Sequence, residues 1–204
     1  LNRTKFIAAG EPAGVTEGLT QSPHAPDSFI AEEGLTEQIR QQLAAGLFFV
    51  QDLSSSLAVQ AAQPKPGERV LDLCAAPGGK SLAAADCMRG AGRIVSADLS
   101  PQKVERMREN VARTGFSGCV QPLQSDAGVF RPDWEGEFDL VIADLPCSGL
   151  GVLSRKPDIK LRLGEEDIIS LRDLQRRFLE NAVRYVRPGG RLLYSTCTLT
   201  EEED

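Results

Sequence analysis

The sequence predicts a doubly wound α/β domain built on a mostly parallel sheet. Three observations carry this reading. From Arg69 onward, short apolar runs alternate with stretches of helical spacing, the pattern of strands joined by crossover helices. The runs end abruptly on turns, as where "RVLDL" meets "CAAPGGKS" and "FDLVIA" meets "DLPCSG". Apolar residues make up 41% of the 204 residues and charged residues 25%, which suits a packed core rather than disorder.

Residues 1–45 read as a lead-in to the main domain, residues 46–204, in which strands and helices alternate from Arg69. The first 30 residues are rich in Gly, Pro, Ser and Thr and lack clear periodicity, so they read as irregular or partly strand-forming. A helix is expected over Thr36–Ala45. "GLFFVQDLSSSLAVQAA" then gives a short strand and a helix from near Ser54. After the turn "QPKPGE" comes the first strong strand, "RVLDLC", then the helix "KSLAAADCMR" and the second strand, "GRIVSAD". Ser100 is a good N-cap and Pro101 a good first helical residue, so a helix runs to about Thr114, with Gly115 ending it. "CVQPLQ" and "FDLVIAD" are the third and fourth strands. Ile168, Leu171, Leu174, Phe178, Ala182 and Val186 fall on one face of a helix over Glu166–Val186. "PGG" stops that helix, and "RLLYST" is the fifth strand. Strands four and five are expected to be neighbours.

Charge and cysteine content narrow the function classes. The net charge of −6 argues against a uniformly basic nucleic-acid-binding surface. The five cysteines are scattered, without a Cys-x-x-Cys pair, and His24 is the single histidine. The chain therefore reads as reduced, intracellular and without a metal site. No apolar run is long enough for a membrane span and no signal-peptide pattern opens the chain. Leu1 is not a start methionine, so a fragment is expected.

In such a sheet, ligands bind at the carboxyl ends of the strands, near the point where strand order reverses. After the first strand stand Cys74, Ala75, Ala76, Pro77, Gly78, Gly79 and Lys80. Small residues let the backbone approach a ligand, and the next helix offers free amides; an ordinary tight turn explains them equally well. "GGKS" also resembles the end of a phosphate-binding loop, although that motif wants glycine where Cys74 stands. With Asp144 as a magnesium ligand, an ATPase is the runner-up. Asp98 ends the second strand, where an acid accepts from ribose hydroxyls or simply favours a helix N-terminus. Asp126 stands on the same rim, as an adenine contact or a turn residue. Asp144 and Cys147 follow the fourth strand, and Cys197 the fifth. Two cysteines on adjacent strand ends beside a pocket point to chemistry. Cys74, Cys87 and Cys119 read as inert core residues. Arg155, Lys156, Lys160 and Arg162 cluster just after the Cys147 loop, a run that by itself reads as a solvated loop. Arg172, Arg176 and Arg177 read as a solvated helix face.

Taken together and in order, "GLFFVQD", "LDLCAAPGGK", "DLPCSG", "RKPDIK", "YSTCT" and "EEED" resemble the Sun (Fmu) family of S-adenosylmethionine-dependent RNA cytosine-5 methyltransferases, the type acting on small-subunit ribosomal RNA. The resemblance covers about Gly46 to the end of the chain. It implies a Rossmann-like class I methyltransferase fold, with 5-methylcytosine as product. It implies that Cys74–Lys80 hold the methionine part of the cofactor, Asp98 its ribose and Asp126 its adenine. Asp144 would face cofactor and base as a general acid, with Lys80 in support. Cys197 would be the nucleophile and Cys147 the helper in product release. Residues 1–45, with Arg3 and Lys5, would be a simple lead-in or a small RNA-binding subdomain, and Arg155, Lys156, Lys160 and Arg162, beside the site, would contact RNA. The expected partner is ribosomal RNA, with the protein a cytoplasmic monomer. A non-catalytic RNA-binding assembly factor on the same fold is a further alternative. Leu145 replaces the family's usual alanine, Glu201–Asp204 replace Pro-Glu-Glu-Asn, and the family's domain continues for two more strands, so the sheet is expected to be truncated after the fifth.

Overall fold

The computed structural model describes residues 4–8, 19–23, 25–31, 36–152 and 164–198. Two sheets organise them. β1 (Thr4–Ala8), β2 (Leu19–Ser22), β3 (Ala25–Ala31) and β4 (Phe48–Val50) form an antiparallel sheet in the order β2-β3-β1-β4. The lead-in is therefore more regular than its composition suggests. Each strand is short, and the order comes from pairing across distance, as in Thr4 opposite Ala31 and Phe6 opposite Val50. α1 (Glu37–Ala44) is capped by Thr36, whose side chain accepts from Ile39 N at 3.3 Å. Ile39 packs with Ala31 and Phe48 in a small core of this unit.

α2 (Leu53–Ala62) leads into the second sheet. Its strands are β5 (Arg69–Leu73), β6 (Arg93–Asp98), β7 (Val120–Gln124), β8 (Phe138–Asp144) and β9 (Val186–Ser195). They are all parallel, in the order β7-β6-β5-β8-β9. The chain starts at the centre, winds out through β6 and β7, and returns to the other side of β5. Strand order thus reverses between β5 and β8, the place where a cleft opens.

Alternation along the strands feeds two cores. Val70, Ile94, Leu140 and Ile142 pack on α2, α3 (Gly79–Cys87) and α4 (Pro101–Arg113), through Val59, Leu82, Met88 and Val111. Leu71, Leu73, Val141 and Ala143 face the other way, onto Phe178, Ala182 and Tyr185 of α5 (Glu165–Tyr185) and onto Trp134. α4 starts as its sequence dictates, with Ser100 Oγ accepting from Lys103 N and Pro101 in the first turn. Gly115 follows its end at φ +78°, the left-handed conformation that suits glycine.

Two features differ from expectation. "PGG" does not precede the fifth strand but lies within it. Phe138 pairs with Val186 and Leu140 with Arg191, so Pro188–Gly190 bulge from the ladder, where a missing N–H costs nothing. The two units are also stitched together. The Arg113 guanidinium at the end of α4 donates to Leu43 O and, at 3.2 Å, to Phe48 O. Gly46 sits so close that a β-carbon would lie 1.6 Å from Arg113 O.

Candidate active site

A cavity of about 880 Å³ opens at the carboxyl ends of β5, β6, β7, β8 and β9. Its floor starts at the turn after β5. Cys74 takes a left-handed φ of +57°, Ala75 N bonds Ala97 O at 2.9 Å, and Gly78 caps α3 at φ +100°. A β-carbon there would be strained, and it would touch Met107. Cys74, Ala76 and Lys80 line the cavity, while Ala75, Pro77, Gly78 and Gly79 complete the turn behind them. Burial, then the Asp98 charge, pushes the Cys74 thiol up to about 12. It is an inert wall residue.

Beneath the turn lies Asp72, fully buried. Ser81 Oγ donates to its Oδ2 at 2.6 Å, and Ser96 Oγ donates to Ser81 Oγ at 2.6 Å. Asp72 Oδ1 has no hydrogen-bond partner. Burial pushes this carboxyl up to about 7, against the Ser81 bond.

The β6 and β7 side carries two acids. Asp98 accepts from Ser100 N at 3.0 Å and from Ala76 N at 3.4 Å, so it ties the second strand end to the turn. Asp126 accepts from Gly128 N at 2.8 Å. Both line the cavity, with Leu99, Lys103, Ser125 and Ala127 around them.

The β8 and β9 side carries a third acid and two thiols. Asp144 and Ser195 are paired residues at the end of the ladder. Lys80 Nζ lies 2.6 Å from Asp144 Oδ2, and Ser195 Oγ donates to Asp144 Oδ1 at 2.8 Å. Just beyond, Cys147 Sγ and Cys197 Sγ lie 2.8 Å apart, and Cys197 N donates to Cys147 Sγ at 3.2 Å. Cys197 is open to the cavity on one side. Burial on its other side, then the Cys147 hydrogen bond, pushes its thiol up to about 12.

The structure thus gathers Cys74, Ala76, Lys80, Asp98, Asp126, Asp144, Cys147 and Cys197 around one cavity. Arg155, Lys156, Lys160 and Arg162 lie outside the described residues, as do Arg3, His24 and Glu201–Asp204. Several lining residues were not legible in the sequence. Asp52, Ser54 and Ser55 reach the cavity from the start of α2. Arg177, expected on a solvated face, stands on the rim with Leu174 and Phe178 of α5, and a β-carbon at Gly128 would lie 3.1 Å from its Nε. Arg172 keeps to the surface, paired with Asp173 at 2.9 Å. For Ser195, the signal was its position at the end of the fifth strand. Among the described residues, no group of three or more His, Cys, Asp or Glu could hold a metal. No helix among them is long and apolar enough to cross a membrane.

The donor set fits S-adenosylmethionine. The turn after β5 lines the cavity with Cys74, Ala76 and Lys80, Asp98 stands beside them and can take ribose hydroxyls, and Asp126 adds a further acceptor on the same side.

Comparison with known proteins agrees. Residues 59–204 match the model of a family described as 16S rRNA methyltransferase RsmB/F. The ribosomal RNA small subunit methyltransferase B of Vibrio cholerae is 35% identical over 203 residues, 99% of this chain and 46% of its own length. A methyltransferase homolog from Pyrococcus horikoshii superposes with a TM-score of 0.80 at 29% identity, over 99% of this chain and 67% of the other. NSun6 from Pyrococcus horikoshii, solved with SFG, superposes with a TM-score of 0.70 at 31% identity, over 80% of this chain and 41% of the other. The chain spans less than half the length of the Vibrio relative. Its parallel sheet is that of the Rossmann-like class I methyltransferases. By the match over most of its length, the chain belongs to the RsmB/F family of 16S rRNA methyltransferases.

Proposed function

We propose that this chain forms the catalytic part of an enzyme that methylates carbon 5 of a cytosine in small-subunit ribosomal RNA, through a covalent cysteine–base intermediate. The observation that carries the proposal is the 2.8 Å contact of Cys147 and Cys197 beside the Lys80–Asp144 pair, in the cavity that contains the glycine turn and Asp98. The same proposal has residues 1–45 as a lead-in that touches RNA and residues 46–204 as the catalytic domain, with β4 (Phe48–Val50) of the latter pairing back onto β1 in the lead-in's sheet.

Carbon 5 of cytosine is a poor nucleophile. Addition of the Cys197 thiolate to carbon 6 makes the ring an enamine, and carbon 5 can then form the new carbon–carbon bond. S-adenosylmethionine, when bound, supplies the electrophilic methyl and a positive charge that favours thiolate. Loss of the carbon 5 proton to a water molecule returns its electron pair to the ring as the C5–C6 double bond, and the Sγ–C6 bond breaks with Cys197 leaving as thiolate. Cys147, in contact with Cys197, assists that departure. Asp144 already accepts one hydrogen bond on each oxygen. It suits an acceptor role towards the amino group and a protonated ring nitrogen of the base, with Lys80 as the neighbouring donor. The base must leave its stack to reach this floor. Arg177 on the rim offers positive charge to the RNA backbone, and Arg155, Lys156, Lys160 and Arg162, close after Cys147 in the sequence, supply more.

Cys197→Ala should abolish methyl transfer to small-subunit RNA while calorimetry still shows S-adenosylmethionine binding, with ATP–magnesium giving no heat. Cys147→Ala should trap RNA covalently. Normal cytosine methylation by Cys197→Ala would sink the mechanism.

A further inference from the structure

Past the last ladder pair, Asp144 with Ser195, one more backbone bond, Leu145 N to Ser195 O at 3.2 Å, joins the two chains before the loops begin. Cys147 lies three residues beyond (147 − 144) and Cys197 two residues beyond (197 − 195). Two loops leaving a sheet are free to diverge, yet the thiols stay in contact. The next residue of each loop explains this. Ser148 Oγ and Thr198 Oγ1 lie 2.8 Å apart, and both side chains are buried, 5% and 5% exposed. Cys197 by contrast is exposed. Each loop thus presents a thiol at the cavity and anchors the adjacent hydroxyl inside. Gly151 N, bonded to Cys197 O at 3.0 Å, closes the loops from the far side.

We infer that Ser148 and Thr198 are positioning residues: their buried hydrogen bond is the strut that sets the distance between Cys147 and Cys197. Ser148 stands outside the cavity lining, and Thr198, which contributes to that lining, is only 5% exposed. They act through the thiols, by keeping the release thiol within reach of the nucleophile after methyl transfer. This role in release rests on the covalent mechanism proposed above. The strut itself does not.

The test uses the full chain in glutathione redox buffer. Oxidised glutathione takes two electrons from the Cys147 and Cys197 thiols. One sulfur–sulfur bond forms between them, and two molecules of reduced glutathione carry away the two protons. Peptide mapping of the linked fraction gives the effective concentration of one thiol at the other. Ser148→Ala and Thr198→Val should each lower it about tenfold, the effect of one lost buried hydrogen bond. The double variant should lower it by less than the two single losses combined, because the mutual hydrogen bond can be lost only once. Thr198→Ser keeps the hydroxyl and should retain the wild-type value. In methylation assays, Ser148→Ala should lower kcat with KM for S-adenosylmethionine unchanged, and should accumulate covalent enzyme–RNA adduct as Cys147→Ala does. Wild-type effective concentrations in Ser148→Ala and Thr198→Val, whatever their melting temperatures, would overturn the strut. Lowered values with no adduct in any variant, Cys147→Ala included, would leave the strut standing and overturn the release role of Cys147.

Discussion

Ser195 Oγ donates to Asp144 Oδ1 at 2.8 Å, between two residues that are also directly paired across β8 and β9. Lys80 holds the other carboxylate oxygen from α3, at 2.6 Å. A half-exposed acid at a cavity rim would otherwise sample several rotamers. Donors on both oxygens, one from a strand and one from a helix, leave it a single orientation. Ser195→Ala should therefore lower kcat about tenfold with cofactor affinity unchanged, and Ser195→Thr should restore it. Steady-state kinetics against both substrates checks the split; an equal rise in KM for the cofactor would point elsewhere.

Asp72 gives stability a pH signature. Its folded carboxyl is pushed up to about 7 by burial, whereas unfolded it titrates near ~3.9. Below about pH 4 both states are protonated and burial carries no ionic cost. Stability falls as pH rises from there to about 7, and above it the full cost is in place, on the order of 4 kcal/mol. Asp72→Asn should remove this slope, so its stability relative to the parent chain should rise between pH 4 and pH 8. Urea midpoints at pH 4, 6 and 8 measure it, and a pH-independent difference would refute the assignment.

The Cys197 thiol, pushed up to about 12, is almost wholly protonated at neutral pH in the ligand-free protein. Its alkylation by iodoacetamide should be slow at pH 7 and still rising at pH 10. Cys147 contributes to the shift by hydrogen bond and charge, so Cys147→Ala should speed alkylation at pH 8. Mass spectrometry of the Cys197 peptide reads both outcomes. A rate that levels off below pH 9 would contradict the pKa.

Arg177 stands on the cavity rim, and Phe178 is the aromatic ring near its guanidinium. Arg177→Ala should weaken RNA binding and reduce the salt slope by about one phosphate contact, leaving S-adenosylmethionine affinity intact. Arg172→Ala, on the outer face, serves as the control. Binding isotherms at several salt concentrations decide it: equal slopes for the Arg177 variant and the parent would remove Arg177 from the RNA path.

Local chemistry explains what could be read directly. Ser100 and Pro101 announce the start of α4 because a cap is a contact between near neighbours. The acid and thiol after "FDLVIA" stand out because an apolar run ends on them. The β1–β4 sheet could not be read in the same way. Its register depends on partners up to 44 residues away, as Phe6 and Val50 are (50 − 6). "PGG" looked like a stop because local propensity disfavours strand. A bulge against β8 accommodates it.

The sequence by itself determined the parallel α/β architecture, the glycine turn, and the acids and thiols at the strand ends. These follow from periodicity and from residues a few positions apart. Tertiary structure alone decided what those groups do to one another. It paired Lys80 with Asp144 across 64 residues and Ser148 with Thr198 across 50, and it brought Arg177 to the rim. Strand order and loop anchoring set these distances. They arise from long-range packing, which no local pattern encodes.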